Sequence, residues 1–172
     1  MIKTTREGFT LIEILIVVAI IAILASVVLV GLGPTQQAGR DARRISDLSE
    51  VQNGLELYYN KCGYYPGGTA ADTSCDSAAA ATGYANMSAE LIGTGLGISS
   101  VPVDPSNTGT HVYSYATNGI AASTYVLGAV LENPSGSVFS TYKAPSNVAA
   151  NTSPAALTCT PTTAIGYYCV SL

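Results

Sequence analysis

The sequence has few of the side chains that most catalytic and nucleic-acid-binding sites require. It contains one histidine, His111, no tryptophan, and only seven Lys and Arg against 11 Asp and Glu. A single histidine gives no convincing Ser-His-Asp or Cys-His set, and so few positive charges give no basic stripe for nucleic acid. Glycines spaced as in a phosphate-binding P-loop are also missing. We therefore expect a protein that is not an enzyme, and we predict no nucleic-acid partner.

Charge of either sign is scarce as well, and the shortage is concentrated in one block. Only 10% of the residues are charged, whereas 48% are hydrophobic. Between residues 9 and 32 the single charge is Glu13. A helix of that length crosses the ~30 Å hydrocarbon core of a bilayer. Lys3 and Arg6 precede the block and predict a cytoplasmic N-terminus, so we expect a single-pass membrane precursor.

Two details separate this block from ordinary membrane targeting. A secretory signal has a shorter apolar core and ends at a small-x-small cleavage site, which residues 25–27 match poorly. Glu13 would cost about 2.5–3.5 kcal/mol inside a membrane helix, so it needs a partner unless it reaches water at the membrane edge. Gly8 and Phe9, at the polar–apolar junction, offer a cleavage point that would leave the apolar helix on the mature chain.

The residues from Gly8 to Glu13 read GFTLIE. Behind a short basic leader and ahead of an apolar helix, this sequence resembles the processing motif of type IV prepilins and type II secretion pseudopilins. The resemblance implies that a prepilin peptidase cuts between Gly8 and Phe9 and that the new Phe9 amine is methylated. It also implies that Glu13 pairs with the Phe9 amine of a neighbouring subunit. Such a pair satisfies two buried charges that are each costly alone.

The chain is predicted to have four parts. These are a cleaved leader at residues 1–8, a transmembrane and filament-core helix at 9–33, an amphipathic half of the same helix at 34–62, and a globular head at 63–172. Two glycines and a proline at residues 31–34 are expected to weaken or kink the helix where its two halves meet.

The amphipathic half carries apolar residues at spacings of three and four, which mark one face of a helix. They are Ile45, Leu48, Val51, Leu55 and Tyr58. Arg43 and Asp47 form an i,i+4 pair on the other side. We interpret the basic cluster from Arg40 to Arg44 as a solvated collar just outside the membrane, and Gly63 as the end of the helix.

The head loses helical periodicity and is rich in small and polar residues. Strands are predicted at residues 112–117, 123–131, 137–142 and 166–170, with a short helix or turn at 89–96, a turn at Asn118-Gly119 and loops at 67–83 and 144–164. The predicted fold class is α+β. It consists of a long N-terminal α-helix packed on a small antiparallel β-sheet, with a disulfide-closed C-terminal region.

The four cysteines all lie outside the apolar block, at Cys62, Cys75, Cys159 and Cys169. An even number in an exported region predicts two disulfides. Of the three pairings that four cysteines allow, we favour Cys62–Cys75 and Cys159–Cys169, because short loops are the easiest to close. Four free buried thiols are the alternative.

The resemblance leaves three functions open. The first is a structural subunit of a type IV pilus serving adhesion, motility or DNA uptake. The alternative is the major pseudopilin of a type II secretion system, whose layout the segments 58–66, 101–105, 113–115 and 127–133 follow loosely. The four cysteines and the long C-terminal tail favour the pilus subunit. A second alternative is a membrane-anchored periplasmic binding module that does not polymerise.

The partners implied by the resemblance are copies of the same chain, the prepilin peptidase, and an inner-membrane assembly platform with its ATPase. The precursor would sit in the inner membrane, and the mature chain in an extracellular pilus or a periplasmic pseudopilus. No cofactor is expected. Calcium is a weaker alternative, because the major pseudopilin family binds it in its sheet loops. Asp104 and Glu132 are the only acidic residues between positions 91 and 172, too few to assign ligands.

Overall fold

A computed structural model describes residues 8–67, 75, 83–117, 122–134, 137–140, 159 and 166–171, without the side chains of residues 29–31 and 137. The predictions for the leader, the Asn118-Gly119 turn, most of the 67–83 loop, and the 144–164 loop apart from Cys159 lie outside these residues. The chain divides into two compact units, Met1–Gln37 and Ala38–Leu172.

The first element, α1, is an α-helix of 52 residues from Leu11 to Cys62. It begins two residues after the predicted start at Phe9, because Thr10 caps it. It ends where predicted, since Gly63 has a φ of +78° and its N–H donates to the carbonyl of Tyr59 at 2.8 Å. A left-handed glycine with this bond is a common helix C-terminus.

Pro34 lies inside α1, and the helix continues through residues 31–34. The breaker residues therefore do not end it. A proline removes one hydrogen bond of the helical ladder and crowds the preceding turn, while the turns on both sides keep their own bonds.

In the first unit, the apolar part of α1 is uncovered. Every large apolar side chain from Phe9 to Val28 is between 51% and 85% exposed. Burying one such side chain is worth about 1.5–3 kcal/mol, so water is a poor environment for this surface. Among the described residues, α1 is the one helix long and apolar enough to cross a membrane, judged by length and composition.

The second unit contains a three-stranded sheet of order β1-β2-β3, with both pairs antiparallel. The strands are β1 at Ser114–Thr117, β2 at Tyr125–Leu131 and β3 at Gly166–Ser171. Each lies within a residue or two of its predicted position, so the antiparallel sheet and the α+β class are confirmed. A second helix, α2, spans Tyr84–Gly93 and begins five residues before the segment predicted for it.

The strand predicted at residues 137–142 is wrong, because Ser137–Ser140 forms a 3₁₀-helix. The tight turn brings the ring of Phe139 against Gly166 at the start of β3. A side chain on Gly166 would stand 3.2 Å from that ring and 3.1 Å from the backbone of Pro134. The glycine lets the segment fold over the sheet where an extended strand was expected.

The core of the second unit forms where the sheet packs on the apolar stripe of α1, as predicted. The stripe residues Leu48, Val51, Leu55 and Tyr58 are at most 2% exposed, whereas Ile45 is only half-buried. All seven residues of β2 are buried. Its alternate residues Tyr125, Leu127 and Ala129 face the helix, and Val126 joins Cys159 and Cys169 in a second, smaller cluster.

Tyrosines supply much of this core. The ring centroids of Tyr65 and Tyr125 are 4.6 Å apart in an edge-on contact, and those of Tyr58 and Tyr64 are 6.1 Å apart. Edge-on aromatic pairs add about 0.5–1.5 kcal/mol beyond the area that they bury. Tyrosine therefore supplies the aromatic packing of this core.

Both disulfides join the cysteine pairs that the loop-closure argument favoured, Cys62–Cys75 and Cys159–Cys169. The first attaches residue 75 to the last residue of α1, and the hydroxyl of Tyr58 donates to the carbonyl of Cys75 at 2.7 Å. The second closes β3 onto residue 159. Each bond joins a cysteine outside the helices and strands, Cys75 or Cys159, to a cysteine within one.

We expect the double variant Cys62→Ser, Cys75→Ser to lose about 3 kcal/mol of unfolding free energy, since the bond closes a loop of 13 residues. Guanidinium denaturation of the mature chain in detergent, followed by circular dichroism, measures this loss. Cys159→Ser, Cys169→Ser is the matched comparison, because its loop of 10 residues has nearly the same closure entropy. Unchanged stability in both variants would contradict the prediction.

Candidate processing and assembly site

The predicted processing site lies at the N-terminal end of α1, where Thr10 and Glu13 bond to each other. The Thr10 N–H donates to Glu13 Oε2 at 2.8 Å, and the Thr10 hydroxyl donates to the same oxygen at 2.6 Å. In return, the Glu13 N–H donates to Thr10 Oγ1 at 3.3 Å. This is a capping box, in which two backbone N–H groups that the helix leaves unpaired are satisfied reciprocally.

The capping box gives Glu13 a role within its own chain. A carboxylate in the first turn also interacts favourably with the helix dipole. The prediction from the sequence considered only a neighbouring subunit, or water, as the partner of this acid. It missed Thr10, although the spacing T-x-x-E ahead of an apolar run is a known signal for a capping box. Pairing of Glu13 with the Phe9 amine of another subunit stays a prediction.

Gly8 and Phe9 are exposed, with Phe9 at 85%. A Cβ added to Gly8 would meet no atom within 4 Å. The fold of the chain therefore sets no demand for glycine at this position. The need for glycine at this position would come from the peptidase that the resemblance implies.

The basic cluster is not a solvated collar, because Arg44 is fully buried. Its guanidinium makes five hydrogen bonds, one for each N–H that it carries. Two go to Asp104 at 2.7 and 3.0 Å, one to Asp41 at 2.8 Å, one to Glu132 at 2.9 Å and one to the hydroxyl of Ser106 at 3.1 Å. A charge removed from water needs such partners, and they come from α1 itself, from the loop before β1 and from the end of β2.

Arg40 extends this network at its edge. Its guanidinium binds both carboxylate oxygens of Glu132, at 2.7 and 2.6 Å. Only Arg43 fits the predicted collar, since its side chain is 67% exposed and lies 3.8 Å from Asp47. Helical spacing explains the division, because residues 40 and 44 lie on the side of α1 that faces the head, whereas 43 does not.

Two carboxyl groups of the network have lowered pKa values. Hydrogen bonds from Arg40, helped by those from Arg44, outweigh burial and lower the pKa of Glu132 to about 2. Burial alone would raise the pKa of Asp104, but Arg44 and the backbone N–H groups of Ser106 and Asn107 lower it. Each group is therefore held as a carboxylate at neutral pH.

His111 lies half-buried, with Nδ1 3.2 Å from the carbonyl of Val130. That contact fixes the loop before β1 to the end of β2 and agrees with a structural role. Within the described part of the chain, no group of three or more His, Cys, Asp or Glu side chains is arranged to hold a metal ion.

The processing motif, the uncovered apolar helix and the disulfide-bonded α+β head are together similar to what is expected of prepilin-like proteins. Residues 3–29 match the family model described as the prokaryotic N-terminal methylation motif. This match covers the segment that contains Gly8, Phe9, Thr10 and Glu13.

Two curated relatives are similar to the first part of the chain. The Type II secretion system core protein G of Aeromonas hydrophila is 33% identical over 64 residues, which is 37% of this chain and 45% of that protein. The protein of the same name from Escherichia coli (strain K12) is 34% identical over 61 residues, 36% of this chain and 42% of the relative. The matches thus span less than half the length of either relative. No solved structure matches the chain at a significant level.

Acid should weaken the head because of Glu132. Its pKa is lower in the folded state than in the unfolded chain, so its stabilisation is complete above the unfolded pKa near 4.5 and is lost as the pH falls towards 2. We expect Glu132→Gln to cost on the order of 2 kcal/mol at pH 7 and to flatten stability between pH 5 and 2. Denaturation at a series of pH values tests this, with the exposed Glu50→Gln as control. Equal pH profiles for the two variants would contradict it.

Proposed function

We propose that the chain is a pseudopilin, a subunit that is matured by a prepilin peptidase and polymerises through α1 into a periplasmic filament of a type II secretion system. The observation that carries the proposal is the uncovered apolar helix, which follows the Gly8–Phe9 junction and has a single acid in its first turn. The names of the curated relatives favour this function over the pilus subunit, which was our first interpretation of the sequence.

Maturation follows from the position of the junction. Hydrolysis of the Gly8–Phe9 bond would release a leader that carries Lys3, Arg6 and Glu7, a net charge of +1. It would leave the whole of α1 on the mature chain and create an amine at Phe9. A positive amine at a helix N-terminus is unfavourable next to the helix dipole, so Glu13 is well placed to compensate it.

Polymerisation would use Oε1 of Glu13, the carboxylate oxygen to which Thr10 does not donate. Both bonds from Thr10 go to Oε2, so the Phe9 amine of a neighbouring subunit can approach Oε1 while the capping box stays intact. The pair would replace costly isolated charges by a salt bridge. It would also set the axial register of packed helices, much as a single polar residue does in a coiled coil.

A pilus subunit is the second candidate. Its support is the pair of disulfides, Cys62–Cys75 and Cys159–Cys169, which tie down the head; a filament exposed outside the cell gains from such covalent closure. In both cases an assembly platform and its ATPase would be separate partners. A binding module that does not polymerise is the third candidate, and it makes no use of Glu13.

Mass spectrometry of the mature protein tests the processing step. We expect a chain that begins at methylated Phe9 and has 164 residues, which is 172 minus the eight of the leader. Gly8→Val should fold normally, since nothing crowds this position, but it should remain uncut. Gly39→Ala, at an equally open helical site, is the control and should be processed. A wild-type chain that starts at Met1 or near residue 26 would overturn the proposal.

Assembly is tested by substitutions at the capping box. Glu13→Ala should insert in the membrane and assemble at least tenfold less filament, because neither the cap nor the neighbour's amine finds its carboxylate. Thr10→Val should reduce assembly less, since it removes the hydroxyl but not the acid, and Thr10→Ser should assemble normally. Ser26→Ala, which changes the other polar residue of the apolar run, is the matched control.

Filament yield from overexpressing cells, read by electron microscopy and by shearing, gives the measurement. Normal filaments from Glu13→Ala would contradict the role of the acid and favour the module that does not polymerise. Export of a secreted substrate, lost when the gene is deleted, distinguishes the pseudopilin from the pilus subunit. Deletion that abolishes surface fibres but leaves export intact would favour the pilus.

A further inference from the structure

The head contains a cluster in which three carboxylates from separate segments meet one positive charge. Asp41 comes from α1, Asp104 from the loop that precedes β1, and Glu132 from the residue after β2. Calcium in proteins is held by several oxygen ligands, carboxylates among them. Here the group at the centre is the guanidinium of Arg44, with no exposed surface.

The residues present do not fit calcium, although the family resemblance suggests that ion. Asp104 and Glu132 are the acids that the sheet loops could offer, and both are bound to Arg44. Both oxygens of Asp104 are occupied, because its carboxylate receives a two-pronged bond from Nε and Nη2 of Arg44. Calcium would have to displace a buried cation that the polypeptide itself carries.

The bonds of the carboxylates continue into the backbone. Asp104 accepts the N–H groups of Ser106 and Asn107, at 2.8 and 3.3 Å. Asp41 accepts those of Glu132 and Asn133, at 2.9 and 3.0 Å. The guanidinium thus orders two loops through the acids that it holds, which is what a structural cation does.

The charges support the same conclusion. With Arg40 and Arg44 against Asp41, Asp104 and Glu132, the network has a formal charge of 2 − 3 = −1. Without Arg44 it would be −2 around a position where Asp104 is fully buried and Asp41 and Glu132 are largely buried. Removing one partner from a buried ionic network is strongly destabilising, because the remaining charges are left without compensation.

We propose that Arg44 is a built-in cation that takes the place of a structural metal ion, so that the head folds and stays folded without divalent cations. The bonds of Arg44 fasten the 104–107 loop and the end of β2 to the first turns of α1 in the second unit. This concerns the folding of the head alone and holds for a pseudopilin, a pilus subunit or a chain that never polymerises.

Thermal unfolding of the full mature chain in detergent, followed by circular dichroism, tests the proposal. The wild type should melt at the same temperature in EDTA and in millimolar calcium, within about 1 °C. Arg44→Met should lower the melting temperature by about 10 °C or more. Arg43→Met is the matched control, since Arg43 is exposed, and should change it by less than about 2 °C.

Arg44→Lys separates a cation from a side chain that fills space. Lysine keeps the charge but loses the planar fork, so it should be more stable than Arg44→Met and less stable than wild type. A methionine variant as stable as the lysine variant would overturn the proposal. So would a wild type whose melting temperature falls in EDTA or rises with calcium.

If the Arg44 variants do not fold, hydrogen exchange on the wild type tests whether Arg44 or a metal ion orders these loops. The amides of Ser106, Asn107, Glu132 and Asn133 donate to carboxylates that Arg44 holds, so they should exchange slowly and at the same rate with and without EDTA. Loss of that protection in EDTA would show that a metal ion orders these loops, and the proposal would then be wrong.

Discussion

An apolar helix that its own chain does not cover must be covered by something else, and this constraint governs the protein. From Phe9 to Val28 every large side chain is more than half exposed. Lipid would cover such a surface in a membrane, and packed helices of other subunits would cover it in the proposed filament. Both environments exclude water, so the one acid in the segment must be satisfied in each. The capping box gives Glu13 such a partner, Thr10, within its own chain.

In the head, a different set of interactions holds a small sheet on one stripe of a helix. Apolar packing along Leu48, Val51, Leu55 and Tyr58 supplies the area, and β2 is buried on both faces. Two further kinds of interaction attach residues that lie outside the sheet. The disulfides pin residues 75 and 159, and Arg44 fastens the 104–107 loop and the end of β2. The disulfides and Arg44 act at different parts of the head, and both add to the stability that apolar packing provides.

Much of this could be predicted from the sequence, for physical reasons that differ between elements. The long helix follows from apolar length and 3.6-residue periodicity, and its end from Gly63. The strands β1 and β2 follow from β-branched and aromatic residues, and the cysteine pairs from loop length. The 137–142 strand failed because a contact between Phe139 and Gly166, distant in sequence, decided the local structure. Periodicity carries no signal for such a contact.

The basic cluster from Arg40 to Arg44 shows a second limit. A run of arginines just beyond an apolar block ordinarily stays in water, and only Arg43 does so here. Two of the three acids that bind Arg44 lie 60 and 88 residues away, so neither their proximity nor the charge balance of the network can be seen locally. The sequence did contain one hint. Residues 91–172 hold only two acids, and both prove to be partners of the same guanidinium.

One helix thus carries Arg44, which is buried within its own chain, and Glu13, which the proposed membrane and filament environments would remove from water. Arg44 finds all five acceptors within its own chain, so it contributes to folding and has no donor left for a neighbour. Glu13 uses Oε2 for its own helix, and the proposed assembly would use Oε1 for a second subunit. If Glu13 were as fully paired as Arg44, the helix would have no electrostatic reason to adopt one register over another. If Arg44 were as open as Glu13, the head would depend on an outside ion. The difference between the two sites separates the interactions that fold the subunit from those proposed to assemble it.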